Sequence, residues 1–418
     1  MTTPLTLTAR WLFPVSGPPL EGGTITIAGP LIQAVEPHGR RHADLDLGNV
    51  AILPGLVNTH THLDLTGLKG KLQPTPDSVH WLRGVVQYRR SLPPLQAAND
   101  IRAGIAECIR HGTTLIGDIA SQGWSWPILA QAPVRAVVFY ELLGLPKDRA
   151  EISESQARRW LEEHPATPTC RPGVSPHAPY SVRSSLFETA FEIARTRQVA
   201  LASHLSETLE ELELLKHRRG PLVAFLSDLG VWDPEGLIHE TETLIRQNNF
   251  NFLVIHGNYL NADSLSRLPA KTTVVYCPRT HATFGHAPHP FREILAAGGR
   301  VALGTDSLAS NPDLNLLAEA RFVRQLFPDF PVDQLLRMLT LSGAEALGWD
   351  QETGSLAPGK SADLIVLPLP AWDAKDPHEL VFESDLAVGR VMWRGSWTDG
   401  DHLVSSAPGV KPKVPLTP

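Results

Sequence analysis

Short apolar runs alternate with amphipathic segments through the middle of the chain, from about residue 52 to residue 347. The runs are too short for typical helices and are followed by turn or polar residues, as buried strands are. The segments between them, such as NDIRAGIAECIRHG, SSLFETAFEIARTRQ and HPFREILAAGG, repeat apolar residues at helical spacing. The eight runs are AILPGLV, TTLIGDI, VRAVVFYE, RPGVSPH, ALASHL, FLVIHG, TTVVYCP and RVALGTD. Eight strands interleaved with helices predict an α/β fold, a closed (β/α)8 barrel of the TIM type.

The two ends of the chain show a different pattern. LTLTARWLF, GTITIAG, LIQAVE and DLDLG cluster β-forming residues between glycines and prolines, and SADLIVLPL and AVGRVMWRGSW repeat this texture near the C terminus. We therefore predict three parts. A small β-sandwich domain comprises residues 1–53 and 348–401, the barrel comprises residues 54–347, and a Pro-rich tail comprises residues 402–418.

Composition narrows the class of protein. With 37 basic and 44 acidic side chains the net charge is −7, which argues against a dedicated nucleic-acid binder. No apolar run reaches the 18 or so residues of a membrane span, and MTTPLTLTARWLF lacks the features of a signal peptide. Three scattered cysteines suit a reducing compartment. We expect a cytoplasmic protein that acts on a small molecule, with no nucleic-acid or membrane partner. The sequence leaves room for a homo-oligomer. The cysteines are Cys108, Cys170 and Cys277.

Ionisable residues follow several of the predicted strands. In NTHTHLD, His60 and His62 stand two residues apart, so they lie on the same face of a strand and can converge on one point. Other strands end in His204, His256 and Asp306. A hydrogen-bonded core histidine would explain any one of these positions. Because the carboxyl ends of barrel strands meet on one face, five such positions together favour a common site.

The chemistry of this set suits a metal ion. Imidazole nitrogens and a carboxylate are ligands for a borderline divalent ion such as zinc, and such an ion lowers the pKa of a bound water from about 16 towards 7. Glu207 stands three residues after His204, where one helical turn would return it to the same mouth to move protons. Its alternative role is that of an acid in the first turn of a helix.

Five motifs, in this order, resemble the amidohydrolase superfamily and more narrowly its deaminase and chlorohydrolase branch. The motifs are NTHTHLD, SPHAPYS, SHLSETLEE, VIHGNYL and ALGTDSLASN. The resemblance implies that His60, His62, His204 and Asp306 bind the metal. It implies that His256 orients the attacking water, that Glu207 shuttles protons and that Asp306 can also accept a proton.

The same resemblance implies substrate contacts and a single metal. His177 in SPHAPYS and Trp81 in SVHWLRGVVQYRR correspond to residues of the substrate pocket, although Trp81 could equally anchor a helix face. Two-metal relatives require a bridging lysine or glutamate on the fourth strand. This chain has no lysine from residue 148 to 215 and no acid in RPGVSPH, so we expect one divalent ion, zinc first and iron(II) second.

The segment CPRTHATFGHAPHPF departs from the commoner CPxSN form of this branch. Arg279, together with His281, His286 and His289, could contact an anionic or polyhydroxyl part of a substrate. The last two could instead be ordinary loop residues. Before Trp81 the chain has Ser78-Val79-His80, where adenosine-type deaminases often carry an acid, so simple adenosine recognition is not implied.

These features predict an aminohydrolase that releases ammonia from an aminated heteroaromatic ring. The segment CPRTHxxFGH resembles aminofutalosine deaminases, which makes aminodeoxyfutalosine the leading substrate prediction, with S-adenosylhomocysteine and adenosine next. A chlorohydrolase or a cyclic-amide hydrolase of the same superfamily is the alternative. A catalytically silent barrel is the least favoured reading, because all six catalytic and metal positions are present.

Overall fold

The computed structural model describes residues 3–73, 75, 77–239, 241–245 and 248–398. The predicted Pro-rich tail, residues 402–418, and the last residues of the predicted sandwich segment, 399–401, lie outside the described residues. The N-terminal strands are β1 (Leu5–Thr8), β2 (Trp11–Leu12), β3 (Leu20–Glu21), β4 (Thr24–Ala28), β5 (Leu31–Glu36), β6 (Leu45–Asp46) and β7 (Val50–Pro54).

Eight parallel strands then form the barrel, and they pair in the same order as they follow one another in the chain. They are almost wholly buried, so they are near-continuous apolar runs and do not alternate. The barrel strands are β8 (Leu56–Thr61), β9 (Thr113–Ala120), β10 (Arg135–Leu142), β11 (Cys170–Pro176), β12 (Ala200–Leu205), β13 (Phe252–His256), β14 (Thr272–Tyr276) and β15 (Arg300–Leu303).

The last and first barrel strands meet at residues that the sequence analysis selected for their chemistry. The backbone N–H of Asp306 donates to the carbonyl of His60 at 3.0 Å. The Thr59 hydroxyl donates to the carbonyl of Leu303 at 2.6 Å. Closure of the barrel therefore brings Asp306 beside His60, although 246 residues separate them in sequence.

Helices surround the barrel and connect its strands. Short 3-10 turns follow β8 at Leu63–Leu68 and β9 at Ser121–Gly123, and two more lie at Pro234–Gly236 and Thr241–Leu244. The α-helices are α1 (Ser78–Ser91), α2 (Pro94–Arg110), α3 (Trp126–Leu129), α4 (Lys147–Glu163), α5 (Ser184–Arg197), α6 (Leu209–His217), α7 (Pro221–Asp228), α8 (Ala262–Ser266), α9 (Pro278–Thr283), α10 (Phe291–Ala296), α11 (Leu316–Leu326), α12 (Val332–Leu339), α13 (Leu341–Ala346) and α14 (Glu379–Phe382).

Two small sheets from the chain ends pack beside the barrel. The C-terminal strands are β16 (Leu364–Pro368), β17 (Arg390–Trp393) and β18 (Ser396–Thr398). One sheet has the order β5-β4-β1-β6, and the other has the order β18-β17-β16-β7-β2-β3, so strands from both chain ends pair directly. Side chains such as Leu7, Ile25 and Leu364 fill the space between these sheets. The predicted fold class, a barrel with a small β-sandwich, is confirmed. We propose the predicted boundaries, residues 53, 54, 347 and 348, as the division between the two parts.

The run AILPGLV is not one strand, as the sequence predicted, but two. Its first half is β7, which pairs antiparallel with β16 of the small sheet, and its second half begins β8 of the barrel. Gly55 separates them: its N–H donates to the carbonyl of Asp363, and a Cβ there would collide with the Thr114 side chain. Periodicity missed this division because both halves are fully buried. Among the described residues, no helix is long and apolar enough to span a bilayer.

Candidate active site

The five ionisable residues at the ends of β8, β12, β13 and β15 converge at the carboxyl end of the barrel. His60 has its ring centroid 4.8 Å from that of His62, 5.1 Å from that of His204 and 5.5 Å from that of His256. The Nε2 atoms of His62 and His204 are 3.3 Å apart. Asp306 Oδ1 lies 3.4 Å from Nε2 of His60 and 3.7 Å from Nε2 of His62. Four imidazoles and one carboxylate thus lie close together in a single cluster.

The donor set fits a divalent metal ion. His60 is fully buried, and neither of its ring nitrogens has a hydrogen-bond partner among the described residues. Burial lowers the pKa of both His62 and His204 well below the ordinary value, so these rings are neutral and keep a lone pair for a metal. The Nδ1 of His204 lies 3.0 Å from the carbonyl of His177 and donates to it, which leaves Nε2 of His204 free to face the cluster.

Asp306 is the anionic member of this cluster. Burial alone would raise the pKa of this carboxyl, but neighbouring His60 and His256 and a hydrogen bond from Ser310 hold the pKa below its ordinary value. The Ser310 hydroxyl donates to Oδ2 at 2.9 Å, so Oδ1 is the oxygen that faces the imidazoles. An ionised carboxylate beside neutral imidazoles is the arrangement expected of a site for a borderline divalent ion.

Glu207 stands at the edge of this cluster. Its Oε1 lies 3.4 Å from Nε2 of His256, and its side chain is 21% exposed. Burial, and then the charges of Asp306 and Glu211, raise the pKa of Glu207 well above the ordinary value. The raised pKa favours the protonated carboxyl up to a higher pH than in an ordinary glutamate, and the protonated form is the one that can donate a proton.

Glu207 is not held by a helical turn after His204, as the sequence predicted, but by a loop. Residues 206–208 form a loop, and α6 begins after them. Thr208 caps this helix by accepting from the N–H of Glu211, while the Glu211 carboxylate accepts from the N–H groups of Ser206 and Glu207 at 2.9 and 3.1 Å. The arrangement is similar to a capping box, but Glu211 reaches past the N-cap residue Thr208 to the two N–H groups before it, and in this way it holds the loop that carries Glu207. Sequence reasoning missed Glu211, although the pattern TLEE signals such a box.

One of the three predicted substrate residues borders the cluster, and a second contacts the loop that follows Asp306. His177 directly follows β11, and its ring centroid lies 5.0 Å from that of His204. Trp81 on α1 donates from Nε1 to the carbonyl of Ala309 at 3.0 Å and packs edge-on against Phe284 at 5.1 Å. Ala309 stands three residues after Asp306, so this indole reaches the loop that follows β15.

Arg279, the third predicted substrate residue, is held by acids. Its Nε lies 2.7 Å from Glu319, its Nη2 lies 2.7 Å from Asp313, and its side chain is 14% exposed. Glu319 also accepts from the Arg279 backbone N–H and from Asn311. An anionic substrate would have to compete with two carboxylates for this guanidinium.

The three histidines of the loop between β14 and α10 have three separate partners. His281 Nε2 donates to the carbonyl of Ala287 at 2.8 Å, which closes the loop on itself. His286 Nδ1 lies 3.2 Å from the Tyr259 hydroxyl. His289 Nε2 donates to the carbonyl of His256 at 2.8 Å.

The structure adds a charged group that sequence reasoning missed. Arg89 on α1 donates to Asp64 at 2.8 Å and to Glu141 at 3.2 Å, and its Nη2 lies 3.2 Å from His62 Nδ1. Asp64 stands two residues after the HxH motif, and Glu141 interrupts the apolar strand VRAVVFYEL. Acids in such buried stretches signal a buried counterion, but only the fold identifies Arg89.

Comparison with known proteins agrees with the fold and with the type of site. A model described as "Amidohydrolase family" matches residues 51–398. The chain is 31% identical over 391 residues to a 5-methylthioadenosine/S-adenosylhomocysteine deaminase of Moorella thermoacetica, which covers 88% of this chain and 85% of that protein.

Two solved structures share the fold. An aminofutalosine deaminase of Helicobacter pylori in complex with methylthio-coformycin superposes with a TM-score of 0.82 at 22% identity, over 94% of this chain and 100% of that chain. An adenosine deaminase of Xanthomonas campestris with bound zinc superposes with a TM-score of 0.77 at 24% identity, over 94% of this chain and 92% of that chain. At these identities the likeness concerns the fold.

Proposed function

The chain belongs to the amidohydrolase family, and on that premise we propose that it is a metal-dependent aminohydrolase acting on an adenine-type nucleoside. The observation that carries this proposal is one geometry: Glu207, a carboxyl whose pKa is raised by burial, stands 3.4 Å from His256 at the edge of a cluster of imidazoles and a carboxylate. A metal site alone would support many hydrolyses. A proton-bearing acid beside it suits attack on a ring carbon whose neighbouring nitrogen must be protonated.

We propose that His60, His62, His204 and Asp306 hold one divalent ion, zinc first and iron(II) second. When bound, this ion supplies the Lewis acidity that makes water a nucleophile near neutral pH. The unpartnered nitrogens of His60 and the facing Nε2 atoms of His62 and His204 support this ligand set. The zinc in the Xanthomonas campestris neighbour supports the choice of metal.

The chain's own residues then move the protons. Glu207 donates its carboxyl proton to the ring nitrogen beside the reacting carbon, then takes up one of the two protons of the attacking water and passes it to the departing amine. The second water proton, held in between by Asp306, returns to Glu207 and restores the acid. Asp306, held ionised, accepts a proton from the attacking water. His256 Nε2, 3.4 Å from Glu207, orients the oxygen that becomes bonded to the ring. Trp81 and His177 line the substrate pocket, and Arg279 stays a predicted contact to a substrate tail.

We propose an adenosine whose 5′ group is replaced as the substrate class. The names of the Moorella thermoacetica and Helicobacter pylori relatives support this choice. Aminodeoxyfutalosine stays the leading named substrate, with S-adenosylhomocysteine, 5-methylthioadenosine and adenosine beside it. The three cysteines are buried and unpaired, which supports the proposal of a reducing, cytoplasmic setting.

The experiment is ammonia release by the zinc-loaded protein, measured with these four nucleosides, guanine and a chlorotriazine, the last also assayed for chloride. We expect ammonia from at least one adenosine derivative. Chloride release without ammonia would replace the proposal with a chlorohydrolase. Silence on every compound, with zinc bound and the protein folded, would contradict it.

A further inference from the structure

The backbone is strained at three positions around the candidate site. Ser206, His256 and Asp306 have φ values of 52°, 63° and 57°, which is the left-handed region that side chains with a Cβ avoid. All three directly end or follow barrel strands. Such a conformation persists only where neighbouring groups hold it, so each position needs a partner that fixes the local backbone.

The backbone partners of two of these residues are already described. The N–H of Ser206 donates to the capping-box acid Glu211, and the N–H of Asp306 donates to the carbonyl of His60. The carbonyl of His256 has a different kind of partner. It accepts a hydrogen bond of 2.8 Å from Nε2 of His289, which stands 33 residues further along the chain.

His289 is built rigidly into its place. The residue is 4% exposed, and its ring stacks on that of Tyr276 with centroids 4.1 Å apart and an interplanar angle of 21°. Because a carbonyl can only accept, the ring proton is on Nε2. The other ring nitrogen, Nδ1, is buried without a hydrogen-bond partner among the described residues. A ring held only for packing would need no N–H donor. The Nε2–H group is therefore the functional part of the side chain.

The direction of the His256 ring depends on this backbone conformation. Rotation about φ swings the side chain and the carbonyl together, and a return to the extended region would turn the ring away from its neighbours. In the conformation held here, Nε2 of His256 lies 3.4 Å from Glu207. The hydrogen bond to the His256 carbonyl therefore also determines where the His256 ring lies.

We propose that His289 is a positioning residue, whose hydrogen bond to the carbonyl of His256 holds the strained backbone that aims the His256 ring at Glu207. The consequence for turnover rests on the proposed function, whereas the geometry does not. His289 touches neither substrate nor metal and acts only through His256.

The alternative is that His289 serves packing alone, and three variants separate the two roles. His289→Phe keeps a flat ring for stacking on Tyr276 and removes the donor. His289→Gln restores an N–H donor on a side chain of similar reach. Phe291→Leu is the matched control for packing, because Phe291 is fully buried and packs around the same residues, 5.5 Å from Tyr276 and 6.3 Å from His289, and its loss leaves the His289 donor in place.

The first measurement is steady-state kinetics of the zinc-loaded variants on the best substrate of the ammonia panel. We expect His289→Phe to lower kcat by about 10- to 100-fold with KM within about threefold, because a catalytic group misplaced by about 1 Å costs this much. His289→Gln should recover most of kcat. Phe291→Leu should lower the melting temperature and leave kcat within about twofold. Wild-type kcat in His289→Phe, or equal losses in the Phe and Gln variants, would overturn the proposal.

The second measurement does not depend on turnover. In a crystal structure of zinc-loaded His289→Phe we expect His256 to leave the left-handed region and its ring to move away from Glu207, with zinc content unchanged. A φ that stays near the present 63° with the ring in place would overturn the proposal. If the wild type released no ammonia from any nucleoside, this structure would still decide the role of His289.

Discussion

Both ends of the barrel bury ionisable side chains, but the two ends differ in whether these side chains have partners within the chain. At the amino end, Arg135 at the start of β10 pairs with Asp363 of the small domain, and its guanidinium lies 4.8 Å from the ring of Trp393. Asp363 also accepts from the Ser361 hydroxyl and the Arg394 N–H. At the carboxyl end, both ring nitrogens of His60 lack hydrogen-bond partners among the described residues.

This difference separates a structural buried charge from a functional one. Leaving a buried polar group without a partner costs about 1–3 kcal/mol, so two such atoms on one buried ring call for an explanation. The Arg135 pair joins two parts of the chain, although Nε of that guanidinium is buried without a hydrogen-bond partner among the described residues. We propose that the nitrogens of His60 are kept for a ligand from outside the chain.

Cavity volume does not make this distinction. A cavity of about 560 Å³ opens at the amino end and is lined by Arg171 and Arg197 among others. Arg171 pairs with Glu352 at 2.7 Å, and Arg197 pairs with Glu162 at 3.3 Å. The charges of these two arginines in the cavity wall are therefore already neutralised by acidic residues of the same chain. The candidate site is distinguished by buried ring nitrogens without hydrogen-bond partners. It is not distinguished by the volume of a cavity.

The largest expected effect is on turnover at the carboxyl end. Glu207→Gln removes the carboxyl that we propose as the proton donor, so we expect kcat to fall by a factor of about 10² to 10⁴ while zinc stays bound. Glu210→Gln is the matched control, because this acid stands three residues further along and takes no part in the cluster. Wild-type turnover in Glu207→Gln would remove this residue from the mechanism.

The next effect concerns the metal itself. His204→Ala removes a nitrogen at the centre of the cluster, so we expect zinc affinity to fall by at least about 100-fold and activity to be lost with it. Metal analysis after dialysis against a weak chelator measures this. Full zinc occupancy in the variant would mean that His204 is not a ligand. It would also weaken the distinction between the metal-binding role proposed for the carboxyl end and the structural role of the amino end.

At the amino end a variant should affect stability and leave the metal in place. Asp363→Ala leaves the Arg135 guanidinium buried without its carboxylate, which costs about 3–5 kcal/mol of unfolding free energy. Asp373→Ala is the matched control: its carboxylate, 97% exposed, also pairs with an arginine, Arg10, and should contribute less than about 1 kcal/mol. Equal losses in the two variants, or zinc lost from Asp363→Ala, would break the comparison.

The smallest effect is a dependence of stability on pH. Burial lowers the pKa of His281 to about 4, whereas the unfolded chain has a pKa near 6.5. The unfolded state therefore binds more protons below pH 6.5, and stability falls as the pH drops from 6.5 to about 4, by up to about 3 kcal/mol. Melting temperatures of the wild type and of His281→Gln measure this. The variant should show a shallower decline, and parallel curves would assign the decline to other groups.

The local patterns of the sequence were enough for the fold class and for the residues at the strand ends. Buried strands that lead into polar loops place ionisable side chains at one end of a barrel, and this holds whatever the details of packing. NTHTHLD therefore predicted two convergent imidazoles, and the structure brings His60 and His62 together with His204, His256 and Asp306.

Only the tertiary structure decided how the remaining polar residues are used. Arg279 and His289 stand in the same segment between β14 and α10, and the sequence offered both as substrate contacts, yet Arg279 pairs with Glu319 and Asp313 while His289 donates to the carbonyl of His256. Periodicity describes which face of an element is buried. It carries no information about which side chain, 30 or 40 residues away, completes a hydrogen bond, because that partner is chosen when distant strands and loops pack together.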